Sequence, residues 1–311
     1  ISRVCPSAAL LVFPTSAVIK VVDQTGTPAQ REWFFSDVAR RDVLCGFCLT
    51  EPEAGSDAGS LKTRAERDGD HYVINGQKAF ITLGEHAHHY LVFARTGPGR
   101  GPSGVSALLV PRDAAGLGFG RGEKKMGLWG SITSAMFLEN VRVPVANRLL
   151  GEGEGWRVLT TAANVMRLWG AASMASGIAQ GAFRTALEYA RSTVVDGRTL
   201  LAQQAVGFAL ADMRMKIEAV RSLIFRVLAM YDSGMGSPRE IESLVSMGKV
   251  FASDTAVEVA GKAVEIMGLS GVRRGSGVER LFRDAKAIQI FDGSNQVQRL
   301  IIARNLVAAE P

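Results

Sequence analysis

The sequence predicts an α+β multidomain fold. A short N-terminal helical piece covers residues 1–42, a middle β-domain of barrel or sandwich type covers 43–149, and a C-terminal four-helix bundle covers 150–311. Three observations predict it. Asp-Gly and Asn-Gly pairs separate short apolar runs in the middle segment, a hairpin pattern because these residues tolerate positive φ. After Trp156 the texture is helical, and Val206, Leu210, Met213, Ile217, Val220, Ile224 and Val227 recur at spacings of four and three. Such a seam demands partner helices. Finally, 311 residues exceed the roughly 100–200 of one domain.

Residues 1–42 read as helix, turn, helix. The apolar run 8–13 stops at Pro14, residues 17–22 are again apolar, and Thr27-Pro28-Ala29-Gln30 suits a helix start with Pro in its first turn. Strand-like runs follow at 43–49, 71–74, 79–82, 90–94, 105–110 and 135–138. Between them, Asp68-Gly69-Asp70, Asn75-Gly76-Gln77 and the Gly/Pro-rich stretch 97–102 read as turns. The β-domain closes near Val143-Pro144, and the glycines of 151–155 form the hinge. Besides the seam helix, helical patterns cover 157–191, 239–267 and a broken pair, 278–290 and 295–308. Their Met and Leu residues read as core.

Composition narrows the function. With 47% hydrophobic and 21% charged residues the chain is of the soluble globular class. No apolar run approaches the ~18 residues of a membrane span, and no basic segment precedes an apolar one as in an export signal. A cytoplasmic location is expected; residue 1 is Ile, so an organellar targeting segment ahead of it stays open. The net charge of +6 favours anionic partners such as nucleotides and phosphorylated cofactors. Scattered basic residues and no recognisable motif argue against nucleic acid. Three cysteines give no disulfide framework. Cys45-x-x-Cys48 lies in a strand-like run without a second pair, so no metal or thiol site is expected, although His86, His88 and His89 are candidate ligands. Among 34 glycines none forms G-x-G-x-x-G between strand and helix, which excludes a Rossmann unit.

The stretch from Ile290 to Gln298 concentrates the chemistry. Asp292 stands beside large apolar residues, then come Gly293 and Ser294-Asn295-Gln296 before a helical pattern resumes at Val297, Leu300 and Ile301. A carboxylate at a helix mouth, half in an apolar pocket, suits a general base whose strength burial raises and the helix N-terminus lowers. On these residues alone a helix cap is the commoner reading, since caps far outnumber catalytic bases.

Several blocks, in register and in order, resemble the acyl-CoA dehydrogenase superfamily across essentially the whole chain. They are Phe47-Cys48-Leu49-Thr50-Glu51-Pro52-Glu53-Ala54-Gly55-Ser56-Asp57, and Asn75-Gly76-Gln77-Lys78-Ala79-Phe80-Ile81-Thr82. Then come Lys125-Met126-Gly127 with Ser131, Thr133 and Phe137, and Leu281-Phe282-Arg283-Asp284-Ala285-Lys286 through Gln298-Arg299. By comparison with the family, about 80 residues of an N-terminal helical domain are absent. The resemblance implies FAD-dependent oxidation of an acyl thioester at Cα–Cβ, on CoA or on a carrier protein. A carboxylate takes the Cα proton, hydride leaves Cβ for the flavin, and hydrogen bonds polarise the carbonyl as an enolate develops. It implies Asp292 as base, with Phe47, Cys48, Leu49, Thr50, Phe80, Ile81 and Thr82 against the isoalloxazine. Ser56, Ser294, Asn295, Gln296, Glu265 and Gly268 continue the FAD site, with Gln203 and Gln204 from a neighbouring subunit. Ser56, Arg167, Gly293 and Arg304 meet the substrate. An electron-transfer acceptor and a homodimer or homotetramer are also implied.

The departures define two alternatives. The family usually places Glu where Asp292 stands, one methylene longer, and a displacement of about 1 Å at a reacting centre costs ~10²-fold. The nitroalkane oxidase branch uses Asp there, so an oxidase of that kind is one alternative. Some members supply Glu before the position of Arg167, where this chain has Met166. Phe80 replaces Trp, Trp129 replaces Arg, Thr193 stands where a pyrophosphate-binding Arg is usual, and Glu265 replaces Gln. An added carboxylate near a pyrophosphate costs ~1 kcal/mol. A catalytically weak scaffold subunit of a hetero-oligomer is the other alternative.

Overall fold

The computed structural model describes residues 1–98 and 101–307. The chain forms two compact units. One gathers Leu11–Lys124 with Gly130–Val165, and the other gathers Ile1–Leu10, Lys125–Trp129 and the chain from Met166 onward.

In the first unit, strands β1 (Cys45–Cys48), β2 (Arg64–Asp68), β3 (His71–Thr82), β4 (His89–Arg95), β5 (Val105–Pro111), β6 (Leu117–Phe119), β7 (Thr133–Pro144) and β8 (Arg148–Leu149) build one sheet. Its order is β6-β7-β3-β2-β4-β5-β8, with β1 parallel to β4 beside that path. The fully buried Tyr72, Ile74, Tyr90, Val92, Leu108, Val110, Met136, Val141 and Val143 form its core. The turn read at Gly69 joins β2 to β3, where Asp68 pairs with His71.

Asn75-Gly76 is not a turn. β3 runs through it, with a register shift between Ile74 and Gly76 against β7. Asn75 accepts from the Asn140 amide at 2.8 Å and donates to its side chain at 3.2 Å, so the pair ties two strands across a bulge. Gly76 is required by a close approach: a Cβ there would lie 2.5–2.8 Å from three atoms of Thr63. Gly76→Ala is therefore expected to cost about 1–3 kcal/mol in thermal or urea unfolding. An unchanged midpoint would mean that Thr63 yields freely.

Two helices, α1 (Pro6–Thr25) and α2 (Pro28–Arg40), precede the sheet. The apolar run expected to end at Pro14 continues instead as one helix. Pro14 withdraws a single backbone donor, while fully buried Ala17, Val18, Val21 and Val22 hold the helix beyond it. By length and composition α1 could cross a membrane, which corrects the expectation drawn from shorter runs; 56% of its apolar window is buried, as in a core helix. The predicted start of α2 is a capping box between Thr27 and Gln30. The Gln30 amide also donates to the carbonyls of Ala146 and Arg148, at 2.6 and 2.8 Å. Gly99 and Arg100 of the predicted Gly/Pro loop, and residue 308 of the predicted last helix, lie outside the described residues.

Helix α3 (Gly155–Asn164) closes the first unit, and the chain continues through a π-helical stretch, Val165–Ala172, into α4 (Ser173–Ser192). A two-stranded ribbon, β9 (Val194–Val195) and β10 (Arg198–Thr199), turns at Asp196-Gly197 with both residues at positive φ. Then follow α5 (Gln204–Ser233), α6 (Pro238–Met267), the short α7 (Leu269–Val272), α8 (Val278–Ile288) and α9 (Asn295–Val307). Of the seven seam positions, six are buried and Val206 is half-buried. α6 packs against α4, α5, α8 and α9, so it occupies the middle of the bundle.

Candidate active site

The candidate residues fall into one group in each unit. In the sheet unit, a buried ion pair shapes the first group. Lys78, fully buried on β3, donates to the Leu49 carbonyl at 3.2 Å and to Glu51 Oε1 at 2.8 Å. Glu51 also accepts from the amides of Lys62 and Thr63 at 2.5 and 3.0 Å. Burial by itself would raise the Glu51 carboxyl, but the Lys78 charge and these bonds hold it below its ordinary value. The Thr50 carbonyl accepts from the Ala79 amide at 2.8 Å, which lays residues 47–50 beside the end of β3.

A second register shift against β7, between Lys78 and Ile81, takes Ala79 and Phe80 out of the ladder. Phe80 adopts φ 55° and leaves its ring 63% exposed. Phe47, Leu49, Thr50 and Thr82 are half-buried, and Ser56 is exposed. Cys48 and Ile81 point into the core, so only their backbones are available to a ligand. Burial pushes the Cys45 and Cys48 thiols up to about 12, which leaves them protonated and unreactive. Among the described residues no cluster of His, Cys, Asp and Glu could hold a metal.

In the helical unit, the second group centres on the turn between α8 and α9. Asp292 and Gly293 both take positive φ, 56° and 80°. Their carbonyls point at donors. The Asp292 carbonyl accepts from Arg167 Nε at 3.3 Å and Gln298 Nε2 at 3.2 Å, and the Gly293 carbonyl from Gln298 Nε2 at 3.1 Å and Lys249 Nζ at 3.0 Å. The cap of α9 is Ser294, whose hydroxyl accepts from the Val297 amide at 3.3 Å. Asp292 is thus released from the capping role that the sequence also allowed. Its Oδ2 is sealed from solvent without a hydrogen-bond partner. Burial pushes its carboxyl up to about 7, against the positive charges of Lys249 and Arg167.

The other predicted residues are placed as follows. Asn295 is buried and wholly engaged: its carbonyl accepts from Lys249 Nζ at 2.8 Å and its amide donates to Asp254 at 2.7 Å. Arg167, expected near substrate, sits in the π-helical stretch with its guanidinium against the Asp292 backbone. Gln296 is exposed, and exposed Arg304 contacts Glu242 at 3.5 Å. Gln203 and Gln204 open α5. Exposed Glu265 pairs with Lys262 in the last turn of α6, and Gly268 caps that helix.

Lys249 and Gln298 escaped the sequence reading. The detectable signal was a lysine within the buried stripe Val245, Lys249, Ser253, Ala256, Ala260 of α6, where an unpaired ammonium is costly.

Both units resemble known proteins. The family model described as "Acyl-CoA dehydrogenase, C-terminal domain" matches residues 153–307, and that described as "Acyl-CoA dehydrogenase, middle domain" matches 46–141. An acyl-CoA dehydrogenase of Bacillus subtilis is 40% identical over 308 residues, covering 99% of this chain and 80% of the relative. A cyclohexane-1-carbonyl-CoA dehydrogenase of Geobacter metallireducens is 40% identical over 307 residues, covering 99% and 79%. The structure of butyryl-CoA dehydrogenase from Megasphaera elsdenii superposes with a TM-score of 0.94 at 35% identity, covering 98% of this chain and 79% of that one.

Proposed function

We propose that this chain, which belongs to the acyl-CoA dehydrogenase family of flavin oxidoreductases acting on CH–CH groups, oxidises an acyl-CoA thioester with Asp292 as the base for the Cα proton. FAD is the cofactor of the family, and when bound it accepts the hydride that leaves Cβ. The exposed Phe80 ring, standing out of a bulged strand beside the backbone of residues 47–50, suits a planar ring system. Thr82 and Thr50 offer hydroxyls there. Ser294, Gln296, Gly268 and Glu265, with Gln203 and Gln204 of a second copy, are the proposed remainder of the cofactor site. Ser56, Arg167, Gly293 and Arg304 are proposed for substrate.

One observation carries the base assignment: Oδ2 of Asp292 is buried and free of any partner. A hydrogen bond to a carboxylate oxygen, or water around it, lowers its basicity, whereas a buried oxygen without a donor is the stronger base for a carbon-bound proton. An electron-transfer protein as acceptor and a homo-oligomeric state belong to the same reading. The exposed Phe208, Met215 and Phe225 on α5 support a second copy packing on that helix.

The test is a visible spectrum of the purified protein with FAD, before and after a panel of acyl-CoAs of different chain length and branching. Flavin bands near stoichiometric occupancy that bleach with one thioester are the expected result. Protein that stays colourless with added FAD, or bands that no thioester bleaches, would overturn it. A pH profile follows from the same geometry. The base works ionised, so kcat/KM is expected to rise with pH through the Asp292 titration near neutrality and to level off above it.

A further inference from the structure

We propose that Lys249 is the positioning residue of Asp292: its buried ammonium fixes the 292–295 turn from the middle of the bundle and tunes the proton affinity of the carboxylate. This rests on the reading of Asp292 as base. The Lys249 side chain is fully buried on α6, and two of its three protons are spent on this turn, at Gly293 O (3.0 Å) and Asn295 Oδ1 (2.8 Å). Asn295 cannot rotate away, because its amide is held by Asp254 (2.7 Å) and by the Ser253 hydroxyl (2.9 Å), which itself donates to the carbonyl oxygen (3.1 Å). Asp254 is further tied to Gln289 before the turn and to Arg299 after it. Asp292 is a non-glycine residue at positive φ, a conformation that costs free energy unless its surroundings fix it. Lys249 supplies that constraint from a helix remote in sequence.

The charges around the carboxylate are of both signs. Arg167 from the π-helical stretch and Lys249 from α6 favour its ionised form, and Glu242 acts on Arg167. Asp254 and Arg299 act on Lys249 with opposite sign. Removing Lys249 while keeping Arg167 deletes one of the two cations that oppose burial, so the carboxyl must bind its proton more tightly.

The test reads Asp292 directly, from the protonated-carboxyl infrared band that Asp292→Asn removes, in the purified FAD-loaded protein. In Lys249→Met the midpoint of that band is expected to rise by about one pH unit, a tenfold change in proton affinity. Lys249→Arg is expected to leave it near its original position. The rising limb of kcat/KM follows the band, whereas a purely structural role would lower the plateau and leave the limb in place. A midpoint unchanged in folded Lys249→Met overturns the proposal. If Lys249→Met does not fold, the unmodified protein decides: the 13Cε resonance of Lys249 must step at the Asp292 midpoint and lose that step in Asp292→Asn, and its absence overturns the proposal. If the midpoint moves but Asp292→Asn stays active, the coupling stands and the base assignment fails.

Discussion

Asp292→Asn is expected to lower kcat on the best acyl-CoA by about 10²–10⁴-fold while the protein keeps its FAD. General-base catalysis contributes roughly 10²–10⁴-fold, and nothing at the position preceding Arg167 can substitute, because Met166 has no proton-accepting group. Asn matches Asp in shape, and the carbonyl that Arg167 and Gln298 grip belongs to the backbone, so the turn survives the change. Stopped-flow reduction of the flavin reads chemistry apart from binding. A variant that reduces its flavin at the original rate would remove Asp292 from the mechanism. Asp292→Glu tests the other side of the same geometry, since an added methylene moves the carboxylate by about 1 Å, enough for ~10²-fold in either direction.

The same substitution carries a stability signature of defined sign. The folded-state proton affinity of Asp292 is raised by burial, so the folded protein binds this proton more tightly than the unfolded chain. Stability is therefore lost as pH rises from the ordinary carboxylate range through the folded value, and the full cost is present above about 7. Asp292→Asn has no such cost. It is expected to be more stable than the original protein at pH 8, by on the order of 1–4 kcal/mol, and to lose that advantage in acid. Inactive yet more stable is the pattern of a residue kept for chemistry at the expense of folding.

What the sequence made legible was whatever local periodicity encodes. The α5 seam, the helix start at Thr27-Pro28 and the Gly69 turn are each specified by residues at short, regular spacings. Asn75-Gly76 misled because the same dipeptide serves a tight turn and a bulge, and the choice is made by Thr63, a dozen residues earlier, pressing on the glycine. Around Asp292 two nearby polar groups competed for one cap, and the hydroxyl of Ser294 reaches Val297. Phe80 and Thr82 became candidates through their resemblance to a family pattern, and Asp292 through its own surroundings as well. The groups that hold them were not, because Lys78 and Lys249 are single lysines in apolar stripes, and a buried lysine is intelligible only once the carbonyls it serves are placed.

Lys78 is where the second large effect is expected. Lys78→Met leaves the Glu51 carboxylate 6% exposed without its countercharge and frees the Leu49 carbonyl. Breaking a buried pair from one side costs about 3–5 kcal/mol. Because Lys78 helps hold Glu51 below its ordinary value, its loss lets burial raise that carboxyl. The favourable term that Glu51 contributes above its unfolded titration range then disappears, so the destabilisation is largest at neutral pH and shrinks as acid protonates the carboxyl in both proteins. Urea unfolding at pH 7 and pH 4 measures the difference, and an equal loss at both would mean that packing, not charge, is what Lys78 supplies. The pair Lys78→Met with Glu51→Leu separates folding from function. Removing both charges is expected to restore most of the stability, since well-packed apolar replacements of buried pairs are often neutral. It cannot restore the bond to Leu49, so FAD affinity, followed by flavin fluorescence quenching, is expected to stay weakened in the double variant. Full recovery of both would reduce the pair to a core element with no hold on the segment proposed to meet the flavin.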